Sequence, residues 1–553
     1  MIAILTDQKL EHLQKEIRFT FEFIFGSLGY EHKFIDDLEK LRTSDILVIY
    51  GFNEPTVEDL RTLARRFVTL FIPADAELFD PKVLSADKLR KNLREVKLLS
   101  LTPVLSARKF DYAAHNISDE ETNAGKISFD LVGNVFFHLA GLDEKVSRAQ
   151  STESREAGSV FFKYRETPYV DNLLWLMDSM IKEHSRARGQ YIVQKQYWPQ
   201  GQEAAVILTH SVDDLQKWDL ASMILSIADD FLMLISMNWQ QLWHTTVGKF
   251  KYLFTNYELN WNFDEFRRLE HDAGMKSTFF IATHSCDDID YNLDDADLQE
   301  EIRSTLASGN EVGFLMTSDK RNRDIQLTRK QVLLHQLKQD SVGVRQFGYE
   351  PDDELQEIRQ TISPLYSMST ARQENPGYPR GIGIPYFPWL KTGKAEYQEI
   401  PTLFRDSFLK VSKHKIVQLD DAKTLIKKFY QAALRTRGIF SQDFRIASFT
   451  DLHHCAKLYP YILAMTKTNK TWVATAMELS KWWQARSKVV IDEGEYEFSV
   501  FFPVDMDSFT LTLNGDYKIV ETDGPSVKVD GNHIRYTGVK AETVSIVRLQ
   551  KNT

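Results

Sequence analysis

The sequence predicts an α/β protein: an irregular (β/α)7-type barrel with an N-terminal α/β domain and a small C-terminal antiparallel β domain. Three observations predict it. Between residues 191 and 487, short apolar runs alternate with amphipathic stretches, the pattern of parallel strands joined by helices. Residues 204–214 read Ala-Ala-Val-Ile-Leu-Thr-His-Ser-Val-Asp-Asp, an apolar run that stops at a polar cluster. A buried strand looks like this where it delivers side chains to the rim of a barrel. From Val489 onward the period falls to two, with turn signals at Asn514-Gly515, Asp523-Gly524 and Asp530-Gly531. The expected units are therefore 1–190, 191–487 and 488–553, with a helical insertion at 215–262.

Composition narrows the class. At 553 residues the chain exceeds what one hydrophobic core fills. A formal charge of −10 with no basic block argues against nucleic acid as a partner. Two cysteines, Cys286 and Cys455, leave neither a disulfide framework nor a four-cysteine zinc site. The opening Met-Ile-Ala-Ile-Leu-Thr-Asp-Gln lacks the pattern of a signal peptide and reads as a first strand. No run of about 18 apolar residues is present to span a bilayer. Leu220–Trp239 comes nearest, and Asp229 and Asp230 interrupt it. The expectation is a cytoplasmic protein without a transmembrane segment.

The elements follow in order. Ile2–Leu5 is a strand, and Leu10, Leu13, Ile17, Phe21 and Ile24 form the stripe of a helix ending near Gly26 and Gly29. Ile46–Tyr50 and Val68–Ile72 are apolar strands. Thr56 opens a helix between them that turns Val57, Leu60, Leu63 and Phe67 inward. This βαβα order makes a small α/β domain, and the absence of a phosphate-binding glycine loop leaves a nucleotide role without support. Phe129–Leu142 packs as an apolar segment, Gln150–Gly158 reads as an exposed loop, and Leu173–Ile181 is a helix leading to the basic link at 186–189.

In the central unit the expected strands are Ala204–Thr209, Ser277–Ala282, Glu311–Leu315, Gly343–Phe347, Leu365–Thr370, Arg445–Phe449 and Trp472–Thr475. Helices between them include Phe263–Ala273, Ala296–Ser308, Arg329–Gln339, Ala422–Arg435 and Met477–Arg486. Gly274 and Gly309 sit where left-handed caps are wanted. The insertion carries Trp218, Trp239, Trp243 and Trp261, whose helical spacing favours a core role over sugar stacking. Glu497–Phe502, Ser508–Leu513, Tyr517–Val520 and Val544–Val547 alternate as strands of a unit expected to cover one end of the barrel.

From about residue 200 to 486 a series of motifs runs in fixed order. It comprises Thr209-His210-Ser211-Val212-Asp213, Thr278-Phe279-Phe280, Tyr291-Asn292-Leu293-Asp294-Asp295 and Gly309-Asn310-Glu311-Val312-Gly313-Phe314-Leu315. Gly343-Val344-Arg345-Gln346-Phe347, Glu399-Ile400-Pro401 with Asp406, and Trp482-Trp483-Gln484-Ala485-Arg486 complete it. In this order the chain resembles the polysaccharide deacetylases of carbohydrate esterase family 4, and within them a bacterial subgroup with an N-terminal α/β domain.

The resemblance implies a divalent metal, usually zinc, held by an Asp and by His residues, with room for water and the acetyl oxygen. It implies a neighbouring Asp as base and a His that protonates the leaving amine. Carried over residue by residue, Asp213 falls on the metal carboxylate, Arg345 on the orienting arginine, and His454 or its neighbour His453 on the acid. His210, Ser211, Asp214 and Asp406 would surround the substrate, an acetylated polysaccharide or oligosaccharide. The departures fall on the centre itself. Ser211 stands at the base position, Leu315 at a ligand-histidine position, Phe347 after Arg-Gln where the family has His, and Ser367 where the subgroup tends to have Asp. A serine hydroxyl takes no proton at neutral pH without its own base, and leucine binds no metal.

Three readings stay open. The first is a deacetylase-fold protein that has lost metal hydrolysis, holds no cofactor, and binds or scaffolds polysaccharide. The second is a working N- or O-deacetylase with zinc on a shifted ligand set around His210, Asp213 and His284. The third is a structural partner in an assembly, joined through the terminal domains. Among the candidates, a His ending a buried strand, such as His210, is more often a hydrogen-bonded core residue. His284 with Cys286, Asp287 and Asp288, and the run from Asp319 to Asp324, read more simply as solvated loops. Cys455 and His454 point to opposite faces of the expected strand and do not form a nucleophile pair.

Overall fold

The computed structural model describes every residue except 43, 53–56, 118–123, 149–157, 217–226, 228–229, 236, 238, 256–258, 318, 350–351, 413–414, 525 and 553. The N-terminal sheet runs in the order His32–Ile35, Ile2–Thr6, Ile46–Tyr50, Val68–Ile72, Ala124–Ile127, Ala114–Ile117. All pairs are parallel except the last. Ile46–Tyr50 and Val68–Ile72 are buried at every position, as parallel strands covered on both faces must be. The first helix begins later than its apolar stripe: Gln8–Leu13 is a 3-10 segment capped by Asp7, and the α-helix Gln14–Leu28 ends at Gly29, φ 81°. A Cβ at position 29 would lie 2.3 Å from the Lys195 carbonyl, so both the turn and the close approach require glycine. The next helix is Val57–Arg66, and its expected opener Thr56 lies outside the described residues, as does 150–157 of the expected loop. Leu131–Leu139 is buried along its whole length, and Tyr169–Ala187 packs on Val68–Ile72 and Ala124–Ile127.

The central sheet has nine strands: β1 (Ala204–Val212), β2 (Thr278–Ile281), β3 (Glu311–Met316), β4 (Val344–Gln346), β5 (Tyr366–Ser367), β6 (Gln398–Glu399), β7 (Phe404–Arg405), β8 (Ile439–Asp443) and β9 (Thr471–Ala474). The ladder runs β6-β5-β4-β3-β2-β1-β8-β7, parallel throughout, while β9 pairs with the first half of β1 and β2 with its second half. The result is a curled parallel sheet. Its two edge strands are joined by residues 400–403: the Ile400 and Thr402 amides donate to the Ser367 and Thr370 carbonyls, and the Leu403 amide to that of Ser441.

One expected strand needs correction. Arg445–Phe449 is not extended; Ser448–Asp451 is a helical turn, and the strand is β8, six residues earlier at its start. Ile439 and Phe440 are the fully buried apolar pair that inserts beside β1, and Asp443 already ends the run. Strands β6 and β7, two residues each, are too short to leave a periodic signal. Helices Asp353–Ile362 and Cys455–Thr466 also lie where none is expected. In the insertion, Trp261 packs against the core, but Trp239 and Trp243 are 60% and 73% exposed, which corrects the core reading for these two; Trp218 lies outside the described residues.

The C-terminal chain forms two four-stranded antiparallel sheets. One runs Val490–Glu493, Glu497–Phe502, Thr543–Lys551, Tyr517–Asp523. The other runs Val527–Asp530, His533–Val539, Met506–Asn514, Ile192–Lys195. Its last strand comes from the start of the expected central unit, because Val193 buries itself with Phe498, Phe509 and Leu511 in this core. One larger core runs unbroken from Ile2 to Trp483 through the other two sheets. Among the described residues no helix is long and apolar enough to cross a membrane.

Arg486 ties the three parts together. It is fully buried and donates to the carbonyls of Gly26 (2.9 Å), Ser27 (3.0 Å), Lys195 (3.0 Å) and Gln196 (2.6 Å). Burial pushes its pKa down to about 10. Arg486→Met would leave these buried acceptors without a donor, each at a cost of about 1–3 kcal/mol. The expected loss is at least about 3 kcal/mol, read as a lower urea midpoint for the full chain.

Candidate functional site

Alternation along β1 sorts its polar end into two faces. Thr209, Ser211 and Asp213 turn toward the interior of the curl, and His210 turns away. On the inner face the hub is Arg345, which is fully buried. Its Nη1 donates to Asp443 Oδ1 at 2.6 Å and to Ser211 Oγ at 3.2 Å, and its Nη2 to Thr209 Oγ1 at 2.8 Å. The guanidinium also lies 4.2 Å over the Phe280 ring. Asp443 closes β8 directly opposite Thr209 in register. It accepts from the Ser211 amide at 3.1 Å, the Ser211 hydroxyl at 3.0 Å and the Tyr349 hydroxyl at 3.0 Å. A carboxylate offers about four lone-pair sites. All are occupied by donors from the protein, so Asp443 has no acceptor left for a proton from water.

A second hub is Arg445, two residues further on. Its Nε and Nη2 reach Asp406 Oδ2 at 3.1 and 3.0 Å, Nη2 reaches Asp451 at 2.9 Å, and Nη1 lies 3.4 Å from Asp213 Oδ2. Asp406 also accepts from the Ser448 hydroxyl at 3.0 Å, and Asp451 from Lys410 at 2.6 Å. Burial opposes the charge on Arg445, yet Asp406, Asp213 and Asp451 outweigh it and hold its pKa well above the ordinary arginine value. Burial raises the Asp213 carboxyl above its ordinary range, with Arg445 pulling the other way.

The remaining candidates are spread over the molecule. His210 is fully buried on the outer face, with Nδ1 at 2.8 Å from the Phe444 carbonyl and Nε2 at 2.8 Å from Glu270. Phe266 and Phe279 stack beside its ring, so both nitrogens serve the layer between sheet and helices. His284 is exposed, and its Nδ1 meets the neighbouring Thr283 hydroxyl at 3.0 Å. Asp214 is exposed, its amide turned to Asp213 Oδ1 at 2.9 Å. His454 is not on a strand; it stands at the N-terminal end of the helix Cys455–Thr466 without a capping hydrogen bond and has only 6% exposure. Burial lowers its pKa, with His453 adding to the effect. No hydrogen bond or ion pair joins it to Asp213 or Arg345. Burial pushes the Cys455 thiol well up, away from the thiolate a nucleophile needs.

The set does not fit the metal that the family resemblance implies. Asp213 is paired with Arg445, His210 points away, and His284 sits on an exposed loop. Leu315 pairs with Arg345 in register and is 1% exposed, so a buried alkyl group stands where the resemblance would put a ligand histidine. Ser367 donates to Ser369, and Phe347 packs on the core. Among the described residues no group of three or more His, Cys, Asp or Glu side chains is placed to hold an ion.

Asp443, Arg445 and Tyr349 are absent from the candidates read from the sequence. The signal was there for the first two: Ile439-Phe440-Ser441-Gln442-Asp443-Phe444-Arg445 repeats the apolar-then-polar break of β1. Placing the strand at Arg445 hides it.

No family model and no curated protein matches the chain. Among solved structures it is similar to a probable polysaccharide deacetylase from Pseudomonas aeruginosa PAO1, at 12% identity and a TM-score of 0.35, over 52% of this chain and 93% of that one. PuuE allantoinase gives the same identity, coverage and TM-score. The carbohydrate deacetylase Agd3 is similar over 100% of this chain and 99% of its own, at 9% identity and a TM-score of 0.35.

The inner hub predicts a large penalty for breaking its ion pair. Arg345→Met leaves Asp443 buried without a counter-charge and should destabilise the chain by about 3–5 kcal/mol. Adding Asp443→Leu should restore part of that loss, since the uncompensated charge goes with it. Chemical denaturation of the two variants side by side measures both.

Proposed function

We propose that the chain is a polysaccharide-deacetylase-like protein on a (β/α)7-type barrel that has lost metal-dependent deacetylation and acts by binding acetylated polysaccharide. The observation that carries this reading is the guanidinium of Arg445 lying against Asp213. A divalent ion and a guanidinium compete for the same carboxylate lone pairs, and the guanidinium is tethered in place. At the neighbouring positions Leu315 offers no nitrogen, and the Ser211 hydroxyl donates to Asp443. The motif order supports the barrel: the family-like segments lie on β1, β2, β3 and β4, neighbours in the ladder, and residues 400–403 join the sheet edges as closure requires. Arg445, Asp451 and Lys410 keep partial exposure at the carboxyl ends of the strands, as charged donors and acceptors that suit sugar hydroxyls.

The test is metal analysis of the purified chain, with acetate release from acetylated chito-oligosaccharides assayed after adding zinc, cobalt or manganese. The expected result is substoichiometric metal and no turnover. One equivalent of metal with turnover that Asp213→Ala abolishes would overturn the reading. A constructive version follows from the geometry. Ser211→Asp with Leu315→His should still bind no zinc, because Arg445 keeps Asp213; adding Arg445→Ala should allow zinc to bind, as equilibrium dialysis would detect.

A further inference from the structure

A second polar enclosure lies apart from both arginine hubs. It is a cavity of ≈ 70 Å³ between the N-terminal helices and the segment that follows β5. Phe137, Phe161 and Tyr169 supply aromatic walls, and Ala371, Arg372 and Pro379 close the opposite side. Its shape is fixed by close packing. Arg380 is held by Glu144 through Nε at 3.0 Å and Nη2 at 2.6 Å, and by the Leu139 carbonyl. A Cβ on Gly141 would come within 2.7 Å of that guanidinium, and one on Gly381 within 2.1 Å of the Tyr169 ring. Neither contact tolerates a side chain.

Two polar atoms in this cavity have no hydrogen-bond partner among the described residues. His138 is 3% exposed, and its Nε2 makes no hydrogen bond; Asp143 is half-buried, with a shielded and unbonded Oδ1, while its Oδ2 accepts from the Ser159 hydroxyl. Leaving a buried polar atom unmet costs about 1–3 kcal/mol. Both residues line the same space, so one occupant can meet both.

We propose that this cavity binds a neutral acetamido group, presented by an N-acetylated amino sugar. The amide N–H donates to Asp143 Oδ1, the carbonyl oxygen accepts from His138 in its Nε2–H tautomer, and the methyl lies on the aromatic wall. Burial, with Arg380 adding to it, drives the His138 pKa down to about 3, so the imidazole is neutral at physiological pH. Burial raises the Asp143 carboxyl to about 6, with the Ser159 hydroxyl pulling the other way. Arg380 is already paired with Glu144, and Arg372 stands on the same wall as Asp143, so neither acetate nor a cationic amine meets an uncompensated charge. A neutral amide satisfies both unbonded atoms without adding charge, and its methyl suits the aromatic wall. The sugar class rests on the carbohydrate reading above; the cavity and its amide chemistry do not.

Isothermal titration of the full chain with N-acetylglucosamine, glucosamine, acetamide and acetate tests this. N-acetylglucosamine and acetamide should bind and compete, and glucosamine and acetate should not. His138→Phe should weaken binding at least tenfold while raising the thermal midpoint, because it removes a buried unpartnered nitrogen within an aromatic cluster. Asp143→Ala should weaken binding to the same degree. N-acetylglucosamine binding that survives both changes overturns the pocket and leaves the carbohydrate reading standing. Binding of acetamide but of no sugar keeps the pocket and removes its sugar. No heat with any probe overturns the proposal.

Discussion

The pair formed by Arg345 and Asp443 is the constraint on which the middle of the molecule depends. Two opposite charges removed from water are tolerable only with short contacts and with every remaining donor and acceptor satisfied. Thr209, Ser211 and Tyr349 meet that demand, which draws β1, β4 and the end of β8 into one fixed relation. The same residues are thereby withdrawn from solvent. What lies at the end of β1 is a folding determinant as much as a site.

The second hub obeys the same electrostatics with a different outcome. Asp213, Asp406 and Asp451 converge at the carboxyl ends of the strands, where mutual repulsion would make them poor neighbours without a cation. A metal is one way to supply it. Here Arg445 supplies it from within the chain, and unlike a metal ion it offers no open coordination position for water. The distinction matters chemically because a guanidinium orients and stabilises anions but does not lower the pKa of a bound water toward neutrality, as zinc does.

Much of the framework was legible in the residues. Runs such as Ile46–Tyr50, Val68–Ile72 and Phe263–Ala273 stand where their periodicity puts them, because burial on one face or both is written into local spacing. His210 and Ser211, expected together around a substrate, fall on opposite faces of β1, as its period of two requires. Legibility failed where the local signal was short or ambiguous. The local signal for β8 is ambiguous because Arg445–Phe449 also contains apolar residues, and a strand expected there takes Asp443 and Arg445 off the rim. Trp239 and Trp243 look like core residues by spacing, yet stand exposed on the helix Trp239–Thr255.

By itself the sequence determined the alternating elements and the chemistry standing at each position, a hydroxyl at Ser211 and an alkyl group at Leu315, since these depend only on which side chain is there. It did not determine which partners those side chains meet. Arg445 and Asp213 are 232 residues apart, as are Ser211 and Asp443. Coulombic and hydrogen-bonding partners are chosen by distance in space, so only the curled sheet, by bringing the ends of β1 and β8 together, decided which charge would neutralise which.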